Sequence, residues 1–243
     1  MIDLCYYATS NFGDRVSPDI VRHVSKAEVP HTYTGPKLLA VGSILHLATS
    51  GDTLWGTGAM TPTPWDQNVP ENLTVAAVRG PLTRSVLMSY GIKCPKVYGD
   101  PGILLPRVFP VTRMSTFKLG ILPHYIDRDK MEELRAYYPH AFVIDITDPP
   151  HRVMECISMC DTLMSSSLHG LIAAEALGIP AAWTPFSPRL AGGPFKFYDY
   201  YLGSGRCNVD PSDWKDPIWA PPAVHNCAAL VTAFPHKILA YDL

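Results

Sequence analysis

The sequence predicts an α/β fold of two Rossmann-like lobes, each a parallel sheet covered by helices. Three observations lead there. Short apolar runs of strand length alternate with helical stretches of roughly ten residues, the pattern of parallel sheets buried on both faces. The alternation runs from Leu38 to about Pro101, stops, and restarts at Lys118. Between the two runs, Leu105-Pro106-Arg107-Val108-Phe109-Pro110 carries two prolines and no period, and reads as a connection. The lobes therefore fall at residues 1–112 and 113–243, with the cleft between them as the default ligand site.

The elements follow in order. Leu38–Val41 reads as a strand ending at Gly42, and Asp52–Trp55 as another ending at Gly56-Thr57-Gly58. Leu73–Val78 is a third, followed by Arg79-Gly80. Pro81 then suits the first turn of a helix reaching about Tyr90, with Gly91 placed to stop it. Val97-Tyr98 is short and apolar before the turn Gly99-Asp100-Pro101-Gly102. In the second run, Lys118–Leu122 is a strand, Asp129–Tyr138 a helix, Ala141–Ile146 a strand and Pro150–Cys160 a helix. Thr162–Met164 is a strand leading through Ser165-Ser166-Ser167 into a helix over Leu168–Leu177, ended by Gly178-Ile179-Pro180. Near the N-terminus, a polar turn from Tyr7 to Asp14 precedes a helix at Pro18.

Composition narrows the function classes. Twenty Lys and Arg against 22 Asp and Glu leave a net charge of −2, so no whole-protein field gathers nucleic acid or an anionic membrane. Hydrophobic residues at 47% exclude a disordered chain. Twenty-four prolines in 243 residues, about twice ordinary usage, argue for short elements joined by rigid turns rather than a long-helix bundle. No uncharged apolar run approaches the roughly 18 residues of a membrane-spanning helix. An acid, Asp3, stands where a secretory signal would carry cations, so a cytoplasmic protein is expected. Cys156 and Cys160, four apart, would share one helix face. No second pair has matching zinc-ligand spacing, so no metal is expected and the six cysteines read as reduced core thiols.

Several segments have the residue types for chemistry. Ser165-Ser166-Ser167-Leu168-His169-Gly170 lies at a strand's carboxyl end and opens a helix, where unpaired N–H groups and partial positive charge favour a phosphate or carboxylate. Equally, one serine simply caps the helix and His169 packs in its first turn. Arg79 has the corresponding position in the first lobe, its side chain expected out over the sheet edge, while Arg84 is either a second anion contact or a solvated helical cation. Pro123-His124-Tyr125 is a third strand terminus with a polar ring, so His124 and His169 are expected at one sheet edge. Asp14, beside Asn11, is either a capping acid or a base facing the cleft. Lys196-Phe197-Tyr198-Asp199-Tyr200-Tyr201 suits a loop closing over a polar ring-shaped ligand, and also the inside of an ordinary buried helix.

Taken in order, these pieces resemble the polysaccharide pyruvyl transferase family. The resemblance is carried by Asn11-Phe12-Gly13-Asp14, Ala40 through Leu45, Trp55-Gly56-Thr57-Gly58, Val78 through Arg84 and Val97 through Pro101. It continues with Pro123-His124-Tyr125, Ser165 through Gly170, Glu175 through Pro180, and Phe195-Lys196-Phe197 with Asp199-Tyr200-Tyr201. The resemblance implies a GT-B-like arrangement of the two lobes. It also implies transfer of a pyruvyl group from phosphoenolpyruvate to two hydroxyls of a sugar in an exopolysaccharide, capsule or cell-wall precursor. It implies no further cofactor, and a sugar or lipid-linked oligosaccharide acceptor met peripherally at the inner membrane face. On that basis His169, His124 and Asp14 are the catalytic candidates. Arg79, Arg84, Ser165, Ser166, Ser167 and Lys196 are candidates for the donor, and Asn11, Tyr125 and Asp199 for the acceptor. The family's serine-rich motif often has arginine where this chain has Ser167, so another cation must take that charge. The competing readings are a GT-B glycosyltransferase using a nucleotide sugar, with Glu175 on the ribose, and a non-catalytic glycan-binding relative.

Overall fold

The computed structural model describes residues 1–190, 192–223 and 227–239. Its elements run β1 (Leu4–Cys5), α1 (Phe12–Ser25), β2 (Leu38–Leu39), β3 (Thr53–Trp55), β4 (Thr74–Ala77), α2 (Pro81–Ser89), α3 (Leu105–Val108) and β5 (Phe117–Leu122). They continue α4 (Met131–Tyr137), β6 (Phe142–Val143), α5 (Pro150–Ser158), β7 (Cys160–Ser165), α6 (Leu168–Ala176), β8 (Ala181–Trp183), α7 (Phe195–Gly203) and α8 (Cys227–Thr232). They form two four-stranded sheets of order β1-β2-β3-β4 and β6-β5-β7-β8, and every pairing is parallel. The expected pair of parallel α/β sheets is present.

Four local readings change. The first helix starts at Phe12, not Pro18, which sits inside it. Phe12, Val16 and Ile20 recur every four residues on the buried face, and that burial outweighs the single backbone bond Pro18 cannot make. The fifth helix ends at Ser158, and Cys160 opens β7. Cys156 and Cys160 therefore share no helix face. The Cys160 thiol donates to the Cys156 carbonyl, and burial pushes its pKa up to about 12. Leu105–Val108 is a short helix within the connection. Finally, Phe195–Gly203 is a buried helix and not a loop. Four of the six cysteines are buried thiols as expected, whereas Cys207 is exposed and Cys227 half-buried.

One buried apolar cluster joins the two sheets, running from Leu4, Phe12 and Leu38 through Leu104 and Leu105 to Leu122, Leu171 and Ile172. The last helices return to the first sheet. The indole of Trp55 at the end of β3 donates to the Leu230 carbonyl of α8 and meets Phe234 edge-on. Helix α7 is fastened to β4 and α2 by a fully buried ion pair, Arg79 Nε to Asp199 Oδ2 at 3.0 Å. Asp199 also accepts from the Thr83 amide at 2.9 Å and the Thr83 hydroxyl at 2.6 Å. Arg79 also donates through Nη1 to Ser43 Oγ and through Nη2 to the Ala59 carbonyl. Glycine makes this approach possible: a Cβ on Gly80 would stand 1.8 Å from the Asp199 carbonyl oxygen, and one on Gly58 2.3 Å from Arg79 Cζ.

Removing one partner of a buried ion pair typically costs about 3–5 kcal/mol, because the other charge is left stranded. Asp199→Ala is therefore expected to lower Tm by on the order of 10 °C in thermal unfolding of a chain this size. A shift within a degree or two of zero would show that Arg79 finds water or another partner.

Candidate functional site

A pocket of about 150 Å³ opens among segments that each follow the carboxyl end of a strand. Tyr7 follows β1, and Asn11 and Asp14 begin α1. Gly42 and Ser43 follow β2, and Met60 follows β3. From the second sheet come His124 and Tyr125 after β5, Ser167 and His169 after β7, and Leu190 and Lys196 after β8. The pocket thus uses the edge of parallel sheets where ligands commonly bind.

Asn11, Asp14, His124, Tyr125, Ser167, His169 and Lys196 all line this pocket, so seven of the sequence's candidates meet in one place. Arg79, Arg84, Ser165, Ser166 and Asp199 do not. Arg79 points inward rather than over the sheet edge, because Asp199, Ser43 and Ala59 take its donors below the pocket floor. Arg84 Nε is held by the Cys94 carbonyl at 3.0 Å. Ser165 Oγ donates to the Leu122 carbonyl, tying β7 to β5. Ser166 Oγ donates to the buried Asp127 at 2.8 Å and accepts from the His124 amide at 2.9 Å. These two serines brace the loops that carry the site. Ser167 both caps α6, accepting from the Gly170 amide, and lines the pocket.

Charge in the pocket follows burial. His124 is driven down to about 3, first by burial and then by Lys196 and His169, so its ring is neutral at pH 7. That removes the expected imidazolium acid at this position; its Nδ1 instead accepts from the Ile126 amide. Lys196 is lowered to about 8 by burial and by Arg79, with Asp14 opposing. It remains mostly cationic at pH 7 and forms no ion pair among the described residues. Asp14 Oδ2 already accepts from Thr9 Oγ1 and Asn11 Nδ2 at 2.9 and 3.0 Å. The Tyr125 ring, 48% exposed, lies beside His124 with centroids 4.5 Å apart and forms an aromatic rim.

His169 is seated tightly. A Cβ on Gly13 would come within 2.0 Å of its Nδ1, so α1 passes the ring at a distance only glycine permits. On the other side its Nε2 lies 3.6 Å from Asp100 Oδ2. Asp100, Tyr7, Ser43 and Met60 were not among the candidates read from the sequence. Tyr7 follows β1, whose two residues leave no pattern, while Ser43, Met60 and Asp100 lie just beyond segments the sequence does mark, where nothing local shows which side chains turn inward.

Fold and site define a two-sheet α/β protein with a lysine- and histidine-lined pocket at its strand termini. Residues 66–186 match the family described as Polysaccharide pyruvyl transferase, and over that stretch, about half the chain, the protein belongs to this family. A curated relative, "Uncharacterized protein L143" of Acanthamoeba polyphaga mimivirus, is 32% identical over 172 residues, 68% of this chain and 59% of that protein. The chain thus spans less than two thirds of that relative's length. No solved structure gives a significant match. Asn11, Asp14 and Lys196 lie outside the matched residues, so geometry is what joins them to His124, Ser167 and His169.

The pocket's affinity for a small anion is expected to fall as pH rises through about 8, where Lys196 loses its proton. Sulfate titrated calorimetrically between pH 7 and 9.5 checks this, since its own charge does not change. Between about 8 and the ordinary 10.5 the unfolded lysine binds more protons than the folded one, so this residue makes stability rise with pH there. Sulfate affinity that is flat across this range would mean that Lys196 does not hold the anion.

Proposed function

We propose that the chain is a ketal pyruvyl transferase: it moves the pyruvyl group of phosphoenolpyruvate onto two hydroxyls of a sugar, leaving a cyclic ketal and inorganic phosphate. The observation that carries this reading is Lys196, a buried cation that forms no ion pair among the described residues and lies in the same pocket as Ser167. Ser167 stands where the family often has arginine, and Lys196 supplies a positive charge there from another element. Phosphoenolpyruvate holds a phosphate and a carboxylate close together, so its site needs cations and donors. On this reading Lys196, His169 and the hydroxyl of Ser167 meet the donor.

The reaction delivers a proton to the donor's methylene carbon, creating a cationic centre at the neighbouring carbon. One sugar hydroxyl attacks that centre, the carbon–oxygen bond to phosphate breaks, and the second hydroxyl closes the ring. Of the two hydroxyl protons, one balances that placed on the methyl group and the other leaves with phosphate. His169 is assigned to proton transfer and Asp14, steadied by Asn11, to the acceptor hydroxyl. Tyr125 offers its exposed ring to the sugar face. In this reading the lobes work as in GT-B folds, and the acceptor is an exopolysaccharide, capsule or cell-wall precursor, free or lipid-linked. A lipid-linked acceptor would be met peripherally: among the described residues no helix is long and apolar enough to cross a membrane.

The nucleotide-sugar alternative depends on Glu175. That side chain is buried and held by Arg206 at 2.9 and 2.6 Å and by the Tyr200 hydroxyl at 2.7 Å, and it does not line the pocket. A ribose would have to displace a buried ion pair to reach it.

Phosphoenolpyruvate is expected to raise Tm in a concentration-dependent way, following RT ln(1 + [L]/Kd). With acceptor present, phosphate is released, and His169→Ala lowers turnover by at least about a hundredfold in a protein that remains folded. Nucleoside diphosphate release from a sugar nucleotide would support the glycosyltransferase. Glycan binding without any response to phosphoenolpyruvate would support the non-catalytic relative.

A further inference from the structure

Two facing buried atoms lack a hydrogen bond: Asp100 Oδ2 and His169 Nε2. They stand 3.6 Å apart, with the Asp100 side chain fully buried and that of His169 10% exposed. An unmatched buried carboxylate oxygen and an unmatched ring nitrogen are each costly alone, and the same small closure relieves both. The carboxylate cannot swing away, because its Oδ1 accepts from the Gly102 amide at 2.9 Å. The ring has little room either. Gly13 passes its Nδ1 edge, and a Cβ on Gly102 would stand 3.7 Å from its Cδ2.

A lone pair on Nε2 would oppose the carboxylate, so the proton of a neutral His169 belongs on Nε2, directed at Asp100 Oδ2. We infer that Asp100 is a positioning residue that holds His169 as the Nε2–H tautomer. Nε2 is sealed from solvent and Nδ1 is not, so Nδ1, beside Gly13, is then the nitrogen left to exchange protons with the ligand. The role in turnover rests on the pyruvyl transfer reading; the tautomer does not.

Asp100→Asn tests this with almost no change of shape. The Gly102 amide needs an acceptor, so the new side chain keeps its oxygen there and turns its NH₂ toward Nε2. Nε2 must then accept, and the ring proton moves to Nδ1. Imidazole ¹⁵N shifts of His169, assigned by their loss in His169→Gln, are expected to report Nε2–H in the unaltered protein and Nδ1–H in Asp100→Asn. With phosphoenolpyruvate and acceptor, kcat should fall about 10²–10⁴-fold while the donor KM stays within about threefold. An Nδ1–H ring in the unaltered protein overturns the inference and requires no variant to fold. A tautomer unmoved by Asp100→Asn, or moved with kcat unchanged, overturns it as well. If phosphoenolpyruvate is not turned over at all, the functional reading fails while the ¹⁵N result still decides the tautomer.

Discussion

The buried pair Arg79–Asp199 is the constraint on which the site depends. It joins the end of β4 to the middle of α7 with both charges removed from water. Such a pair adds little net stability over a well-packed apolar contact, but it is specific, because any other seating of α7 would strand two charges. Its consequences reach the pocket from both sides. Asp199 lies three residues after Lys196, so fastening the helix at one position sets where the lysine emerges. Arg79 holds Ser43 and the Ala59 carbonyl from below, and Ser43 and Met60 line the pocket above it. Arg79 also helps depress the Lys196 pKa. A residue that meets no ligand thus shapes the charge that would.

Much of this was legible in the sequence, and the limits have physical causes. The strands β5 and β7 and the helices α2 and α6 are long enough for apolar runs and caps to mark them, and they appear where expected. Strand β1 has two residues and leaves almost no pattern. Pro18 is a strong local signal that points to a later start for helix α1, whereas the burial of Phe12 depends on tertiary packing. The same contrast explains Arg79. A residue before a strand-end glycine reads as outward-facing, and only the partner Asp199, 120 residues later in the chain, turns it inward. Helix α7 looked equally like a loop because its mixture of charge and aromatic rings makes sense only once Asp199 is paired and Phe197 stacks on Trp183.

Among the candidate residues, the sequence identified where polar groups gather but not what each is occupied with. The triple serine divides its work: Ser165 and Ser166 hold β5, Asp127 and the His124 amide, and Ser167 alone meets the pocket. His124 and His169 do share a sheet edge, yet their surroundings differ. His124 is buried beside a cation, which disfavours its own charge. His169 faces a carboxylate oxygen, Asp100 Oδ2, at 3.6 Å. Two histidines at one strand edge therefore have opposite electrostatic settings, a difference that spacing cannot express because it arises from Lys196 and Asp100, on distant segments.

Ser167 shows the same dependence on a distant segment. An arginine at that position would bring a permanent charge from the start of α6. In its place the chain has a short hydroxyl that closes the helix cap, with its cation on α7 instead. The two arrangements are not electrostatically equal. Arginine remains charged at any physiological pH, whereas a buried lysine lowered to about 8 gives up its proton readily. On the proposed reaction, Lys196 could relay the second hydroxyl's proton to the leaving phosphate as well as offer charge, a capacity that guanidinium lacks. On that reading, serine at 167 bears on the chemistry of the leaving group as much as on the strength of donor binding.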